Sequence, residues 1–218
     1  MGIAQIISNQ LIIRSTFLFY GEAASEILAK QIAEDIANHW NEPKAIAFIS
    51  KKEVEVIFDI KGIYSPQLAP EEVYYNYNPL YNYFRIEEFS NIHISFVDDI
   101  PCNTGYFKLD NLFNNSTTAA HEYGHTLGLK HPEVLDIRGE GQPGIMYPRG
   151  TICDPHYQYD STAQPLAPGG TINPYKRKVL QKDIDALKLH RIQFNKNGTA
   201  MLGDFSSVWH DKHLPATA

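Results

Sequence analysis

Apolar residues recur along the chain with two different periods, which predict where strands and helices lie. Short runs rich in β-branched and aromatic residues are typical of strands and occur at 11–20, 44–50, 53–60, 92–97 and 105–109. Residues 22–40 instead place apolar side chains three and four positions apart, which predicts an amphipathic helix. A second helix is predicted at 116–129 and a last one at 176–194. Residues 132–175 are dense in Pro and Gly and predict a long loop.

The order of these elements indicates one α+β domain. Strand, helix, several strands, helix, long loop and helix follow one another without an internal repeat or a linker. The tyrosine-rich residues 73–84 are expected to form a hairpin or loop whose rings cover the sheet, with an exposed recognition surface as the alternative.

Composition narrows the classes of function. The chain has 218 residues, of which 43% are apolar and 20% charged, so it can bury a core and is not expected to be disordered. Lys and Arg number 19 against 25 Asp and Glu, a net charge of -6 that disfavours a nucleic-acid partner. No apolar run approaches the roughly 18 residues of a membrane span. The first residues lack the basic start of a signal peptide, so the segment is expected to be soluble.

Residues 121–131, HEYGHTLGLKH, carry the functional prediction. On a helix, His121 and His125 lie four positions apart and share a face, so both imidazoles can reach one metal ion. Glu122 falls beside that face, where it can reach a water molecule on the metal without being a ligand. Gly128 suits the left-handed turn that ends a helix, and that turn would bring back His131 as a third ligand. Three protein ligands leave an open position, as in catalytic zinc sites.

This pattern resembles the H-E-x-x-H-x-x-G-x-x-H signature of the metzincin zinc metallopeptidases. Residues 144–148, GIMYP, resemble the Met-turn of that family in its matrixin form, and Pro132 after the third histidine is similar to serralysins. The resemblance implies a metzincin-type zincin catalytic domain. In it, a twisted mixed sheet and the active-site helix lie above a small irregular C-terminal subdomain that ends in a helix. The implied division is an upper subdomain of residues 1–131 and a lower one of 132–218.

The resemblance also implies roles for residues after the motif. Met146 would form an apolar floor under the histidines, and Asp183 would brace the Met-turn. The candidates for the substrate pocket are Tyr147, Pro148, Arg149, Gly150 and His156. Matrixins have a different wall where this chain has Arg149 and Gly150, so the pocket is expected to differ from theirs. Thr104 to Asp110 is the predicted strand edge along which an extended substrate would lie.

Function follows from the same resemblance. One catalytic Zn²⁺ held by His121, His125 and His131 implies hydrolysis of peptide bonds, with Glu122 as general base. The alternative is a non-catalytic metzincin-like zinc-binding module that recognises a protein partner, although an intact Glu122 argues against it. A purely structural zinc domain would need a fourth ligand, which the spacing does not supply.

The expected partners and location follow from a peptidase. Protein or peptide substrates are expected, and an inhibitor or immunity protein is expected if the chain is the toxic domain of an effector. The protein would be secreted or delivered as such a domain, with no signal peptide in this segment and no nucleic-acid partner or membrane span.

The two cysteines leave two alternatives open. Cys102 and Cys153 flank the two expected walls of the cleft, so a disulfide between them would suit an extracytoplasmic protein. A pair of free thiols is equally compatible with the sequence, since sequence does not set the Cα separation that a disulfide requires.

Overall fold

Eight strands form one mixed sheet in the computed structural model, which describes residues 1–164 and 166–215. The strands are β1 (Gly2–Ile7), β2 (Gln10–Tyr20), β3 (Ile46–Ile49), β4 (Lys52–Tyr64), β5 (Tyr81–Glu87), β6 (Phe96–Val97), β7 (Thr104–Lys108) and β8 (Thr199–Leu202). Their order across the sheet is β3-β4-β2-β5-β7-β6, with β1 between β2 and β8. Strand pairs β2–β4, β2–β5 and β5–β7 are parallel, and the remaining pairs are antiparallel.

Four α-helices lie in the described part of the chain: α1 (Glu26–Asn41), α2 (Pro70–Tyr74), α3 (Thr118–Thr126) and α4 (Gln181–Ala186). The α+β prediction is confirmed. Helix α1 begins at Glu26 because the hydroxyl of Ser25 accepts a hydrogen bond from the backbone N–H of Leu28 at 3.2 Å. No helix in the described ranges combines the length and apolarity that crossing a bilayer requires.

Aromatic side chains join α1 and α3 to the sheet. Trp40 from α1 packs 5.0 Å from the ring of Phe58 and 5.5 Å from that of Tyr123 on α3. Phe17 of β2 lies 5.7 Å from Tyr123, and the indole N–H of Trp40 donates to the carbonyl of Ala120 at 3.0 Å. All five residues are at most 2% exposed. The helix that carries the motif is therefore held against the sheet by a large buried contact.

Three strands, β1, β5 and β8, are not predicted by the sequence pattern. The prediction of a hairpin or loop over residues 73–84 is wrong at its end, because β5 begins at Tyr81 and Tyr83 is buried. Tyr77 is 82% exposed, so only part of the tyrosine-rich stretch covers the core. The predicted last helix is also too long. Helix α4 covers six residues, and Lys188 with φ 53° separates it from a 3₁₀ turn at Leu189–Arg191.

The edge of the sheet beside α3 is β6, not the predicted segment Thr104 to Asp110. Strand β7, which contains most of that segment, pairs with β5 on one side and with β6 on the other. Phe96 of β6 pairs with Tyr106 of β7, and their rings stack at 5.8 Å. This stacking attaches a two-residue strand to the sheet and makes it the exposed edge.

The chain after α4 returns to the sheet. Strand β8 pairs with β1, although the predicted boundary at residue 131 assigns it to the lower subdomain. Beyond β8, the ring of Trp209 stacks on Tyr20 at 4.5 Å and that of His213 on Tyr106 at 4.1 Å. The division into two subdomains stays a prediction, and residues 199–213 lie against the sheet.

Candidate metal centre

Gly128 ends α3 in the way that the sequence predicts. Its φ is +102°, a left-handed conformation that residues with a Cβ rarely adopt. The N–H of Gly128 donates to the carbonyl of His125 at 2.9 Å, and that of Leu129 donates to the carbonyl of Gly124 at 3.0 Å. These two bonds form a Schellman motif, which reverses the chain and places His131 beside the helix.

The three motif histidines meet at one point. Their Nε2 atoms are 3.2 Å apart between His121 and His125, 3.1 Å between His125 and His131, and 3.0 Å between His121 and His131. Nδ1 of His121 lies 2.7 Å from the carbonyl oxygen of Ile145, and Nδ1 of His125 lies 2.7 Å from that of Leu129. A carbonyl oxygen only accepts, so both Nδ1 atoms carry the ring hydrogen and both Nε2 atoms present a lone pair.

Converging lone pairs favour the binding of a cation between them. Within residues 1–164 and 166–215, His121, His125 and His131 form the group of side chains able to hold a metal ion, without a fourth protein ligand. Zinc binds imidazole nitrogens at about 2.0 to 2.1 Å, which places tetrahedral ligands about 3.3 Å apart. The observed separations are close to that value, so the three nitrogens fit zinc with an open coordination position.

Burial keeps the three imidazoles in the neutral form that binds a metal. Burial lowers the pKa of His125 to about 4 and holds the pKa of His121 well below its ordinary value. The charge of Arg177 acts on His121 in the same direction. His131 is the exposed member, and burial lowers its pKa as well. Protons therefore compete weakly with a metal ion at neutral pH.

Met146 lies against the motif helix at Gly124, and its role as a floor under the histidines stays a prediction. It is 3% exposed, and its Sδ atom approaches Gly124 so closely that a Cβ added there would lie 2.3 Å away. Motif, third ligand and Met-turn thus occupy one site. The arrangement is similar to a metzincin metal centre. Gly124, which the sequence analysis did not single out, is the residue that allows the Met-turn to contact the motif helix.

Comparison with known proteins adds little to what the residues of the metal centre indicate about function. No family model matches the chain, and no curated protein matches it in sequence. A solved structure of myroilysin is similar over 88% of this chain and 100% of that one, with 12% identity and a TM-score of 0.39. A likeness this distant carries no conclusion about activity, so the residues of the metal centre have to support it.

Glu122 is buried in the same cavity as the metal centre. It is 7% exposed and lines a cavity of about 390 Å³ together with the three histidines. Burial raises its pKa to about 8, whereas the charge of Arg177 and the backbone N–H of Val97 act in the opposite direction. Val97 belongs to β6, so the exposed sheet edge and the predicted base lie on one cavity.

The structure brings together only part of the predicted substrate pocket. Pro148 and Arg149 line the cavity. Tyr147 is buried beneath it, with its ring 5.4 Å from the amino group of Lys182. Gly150 is exposed with open space around it, and His156 is exposed beside Tyr157, with their ring centres 3.8 Å apart. Neither of these two residues lines the cavity.

Asp183 lies against the Met-turn. Its carboxylate accepts a hydrogen bond from the N–H of Leu180 at 2.8 Å and one from the backbone of Ile145. A Cβ on Gly144 would lie 3.0 Å from the same carboxylate. Since Ile145 is the residue whose carbonyl orients His121, a continuous set of contacts runs from Asp183 through Ile145 to that histidine, and the bracing role of Asp183 stays a prediction.

Arg177 is the site residue that sequence reasoning missed. It follows the long loop without any motif, yet it is 5% exposed and lines the cavity. Its Nη1 atom lies 3.0 Å from Nδ1 of His121 and donates to the carbonyl of Tyr147 at 2.8 Å. Burial lowers its pKa to about 10, so it remains charged at neutral pH. A single basic residue in a predicted helix carries no signal for such a position.

The cysteines are free thiols in the structure, and a disulfide between them is not present. Both are buried. Cys153 packs with Ile137, Tyr147 and Ile172, and burial raises its pKa to about 11. Burial also raises the pKa of Cys102, whose thiol hydrogen-bonds Ser206.

We expect two alkylated thiols when the unreduced protein is denatured and treated with iodoacetamide, as read by intact mass. Alkylation that needs prior reduction would contradict this.

Gly124→Ala should destabilise the protein. Alanine adds about 1 kcal/mol of helix propensity, but its Cβ would overlap the sulfur of Met146 and also approach Trp40. Overpacking of this kind costs about 1 to 3 kcal/mol. We expect a net loss of about 1 kcal/mol in the free energy of urea unfolding. Gly150→Ala, which meets open space, is the matched control and should stay within about 0.5 kcal/mol of wild type. Equal stability of both variants would contradict the predicted contact.

Glu122→Gln should stabilise the metal-free protein in a pH-dependent way. The folded pKa of Glu122, about 8, exceeds the ordinary value of 4.5, so its contribution is fully present below pH 4.5 and is lost as pH rises towards 8. Glutamine does not ionise, so the variant should gain up to about 3 kcal/mol over wild type at pH 7 and little near pH 4.5. Urea unfolding across this range measures it, and a difference independent of pH would contradict the buried carboxylate.

Proposed function

We propose that this protein is a zinc-dependent endopeptidase that hydrolyses peptide bonds in protein substrates. One observation carries the proposal. Three neutral imidazoles converge for a metal ion at the wall of an open cavity, and a buried carboxylate, Glu122, lines the same cavity. The open coordination position next to a carboxylate is the arrangement of a catalytic zinc site, whereas a structural site is closed by a fourth ligand.

The residues of the cavity have separate roles in this reaction. When bound, zinc would supply Lewis-acid chemistry, acidifying water and polarising a carbonyl group. Glu122 accepts the proton of the attacking water and passes it to the amine that leaves. His121, His125 and His131 hold the metal, and the carbonyls of Ile145 and Leu129 keep two of the rings oriented. Burial favours the protonated form of Glu122, which suits the second proton transfer, whereas the charge of a bound metal ion would favour the carboxylate form that accepts the first proton.

The exposed sheet edge accounts for the binding of an extended peptide. Residues 94–97, which include β6, line the cavity opposite the motif helix. An extended substrate can add to this edge through backbone hydrogen bonds, so that its scissile bond lies over the histidines. Binding through the backbone in an open cleft is compatible with cleavage in the interior of a polypeptide. The substrate would then lie along β6, and not along the segment Thr104 to Asp110 that the sequence predicted as the edge.

A zinc-binding module without turnover is less well supported. Burying Glu122 destabilises the fold by an amount that a neutral side chain would avoid. A module that only recognises a partner gains nothing from that carboxylate, whereas a peptidase needs it. Secretion or delivery as an effector domain, and recognition by an inhibitor or immunity protein, stay predictions.

Zinc-loaded protein should cleave casein or a peptide library, and a zinc chelator should stop the reaction. Glu122→Gln should lower the rate by at least about 100-fold, because general base catalysis contributes about 10² to 10⁴. Zinc content by atomic emission should stay near one ion per chain in the variant, since Glu122 is not a ligand. Cleavage that survives the chelator would refute the metal mechanism, and no cleavage by wild type would favour the binding module.

A further inference from the structure

Two arginine side chains line the cavity beside the histidines. Arg149 follows the Met-turn and is exposed, while Arg177 precedes α4 and is buried. We call the wall that they form with Pro148 the arginine wall. Glu122 is the acidic residue that lines this cavity in the described part of the chain. A chain with a net charge of -6 therefore has a catalytic cavity in which arginines outnumber carboxylates.

The hydrogen-bond partners of Arg177 are all neutral. Nη1 donates to the carbonyl of Tyr147 at 2.8 Å, Nη2 to the hydroxyl of Thr117 at 2.9 Å, and Nε to the same hydroxyl at 3.1 Å. Nε also lies 3.4 Å from the carbonyl of Pro174. Across residues 1–164 and 166–215 no carboxylate lies within 4.0 Å of its guanidinium. Glu122 lines the same cavity but makes no ion pair with Arg177, and a charge buried without a directly paired counterion destabilises a fold unless a ligand completes it.

Arg177 also has hydrogen-bonding capacity to spare. A guanidinium has five N–H groups. The Nη1 hydrogen facing His121 meets a nitrogen that itself donates to Ile145, so that contact is not a hydrogen bond. The second hydrogen of Nη2 has no acceptor among the described residues. At least one donor of the fork thus remains for a molecule in the cavity.

Arg149 adds a second positive charge to the wall. It lines the same cavity as Arg177, and no described carboxylate pairs with it. Placing two guanidinium groups near one another is unfavourable in isolation. A bound carboxylate makes the arrangement of the two groups favourable, because planar guanidinium groups bind carboxylates with two parallel hydrogen bonds.

The position of Arg177 limits which substrate residue can reach it. Its Nη1 atom is 3.0 Å from Nδ1 of His121, so a single imidazole ring separates the guanidinium from the metal position. Neighbouring residues of an extended peptide are about 3.8 Å apart. The side chain that reaches the arginine wall therefore belongs to a residue next to the scissile bond.

We propose that Arg149 and Arg177 form a carboxylate subsite that selects substrates with an acidic residue beside the scissile bond. The inference rests on the proposed peptidase function and specifies its substrate class. The carboxylate belongs to an Asp or Glu side chain within the peptide, or to the C-terminus of a peptide that ends at this position. Both sources have the same chemistry, and the experiment separates them.

Binding without turnover tests the subsite directly. The zinc-loaded Glu122→Gln protein is titrated by calorimetry with hexapeptides amidated at the C-terminus, in which Glu or Gln occupies each position in turn. At one position, Glu should bind about tenfold or more tightly than Gln, which has the same shape without the charge. Equal affinity at every position, or no detectable binding of the Glu peptides, overturns the proposal for side chains. A preference found only when a free C-terminal carboxylate replaces the amide assigns the subsite to chain ends.

Variants of the two arginines separate charge from packing. Arg149→Gln, made in the Glu122→Gln background, should lower the Glu-to-Gln affinity ratio several-fold without changing the affinity for the Gln peptide, because Arg149 is exposed. Arg177→Lys keeps the positive charge but loses the planar set of N–H donors of the guanidinium group. The Glu-to-Gln affinity ratio should therefore fall while the zinc content is unchanged. Lys61→Gln, an exposed change on β4, is the control. An unchanged ratio in both arginine variants overturns the proposal, even if Arg177→Lys is less stable.

The cleavage pattern of wild type distinguishes this inference from the proposed function. Cuts mapped by mass spectrometry should show an acidic residue enriched at one position beside the scissile bond. Cuts without that enrichment, together with a Glu-to-Gln ratio of one, would overturn the subsite and leave the peptidase intact. A high affinity ratio without any cleavage would retain the carboxylate subsite and refute the peptidase.

Discussion

The hydrogen bond between Nδ1 of His121 and the carbonyl of Ile145 connects the two halves of the metal centre. It makes the Met-turn the partner of a metal ligand, so the helix and the turn have to be in register before the histidines can converge. Met146 lies against Gly124 one turn along the helix, and Asp183 holds Ile145 from the other side. A continuous path of contacts therefore runs from α4 through the Met-turn to a ligand, and disturbance at any step changes the orientation of the imidazole.

The cavity contains groups that oppose folding. Glu122, His121, His125 and Arg177 are all nearly buried, and burial shifts the pKa of each towards the neutral form. A core of apolar side chains at these positions would be more stable. The aromatic contacts of Trp40, which hold α3 against the sheet, lie directly behind the site and offset this instability. A bound metal ion would stabilise the histidines and Glu122 further, which makes folding and metal binding interdependent.

Local patterns were reliable where one element determines the structure by itself. The strand at residues 11–20 and the helix after it are present, and Gly128 has the left-handed conformation expected from its place after His125. Prediction failed where a strand depends on its neighbours. Strand β5 lies in a tyrosine-rich stretch whose tyrosines are exposed at one end and buried at the other. The sequence therefore shows no clear alternation of apolar and polar residues that would predict a strand there. The strand predicted at 92–97 is present only as the two residues of β6, and its position at the edge of the sheet depends on pairing with β7, which a local pattern does not show.

By itself, the sequence predicted the three converging histidines, the carboxylate beside them and the Met-turn, because the spacing within residues 121–131 and the helix geometry together decide which side chains share a face. Tertiary structure decided what surrounds them. It selected β6 as the edge over α3, left Gly150 and His156 outside the cavity, kept both thiols free, and placed Arg177 beside His121. These outcomes depend on contacts between separate segments of the chain, which leave no periodic trace in the sequence.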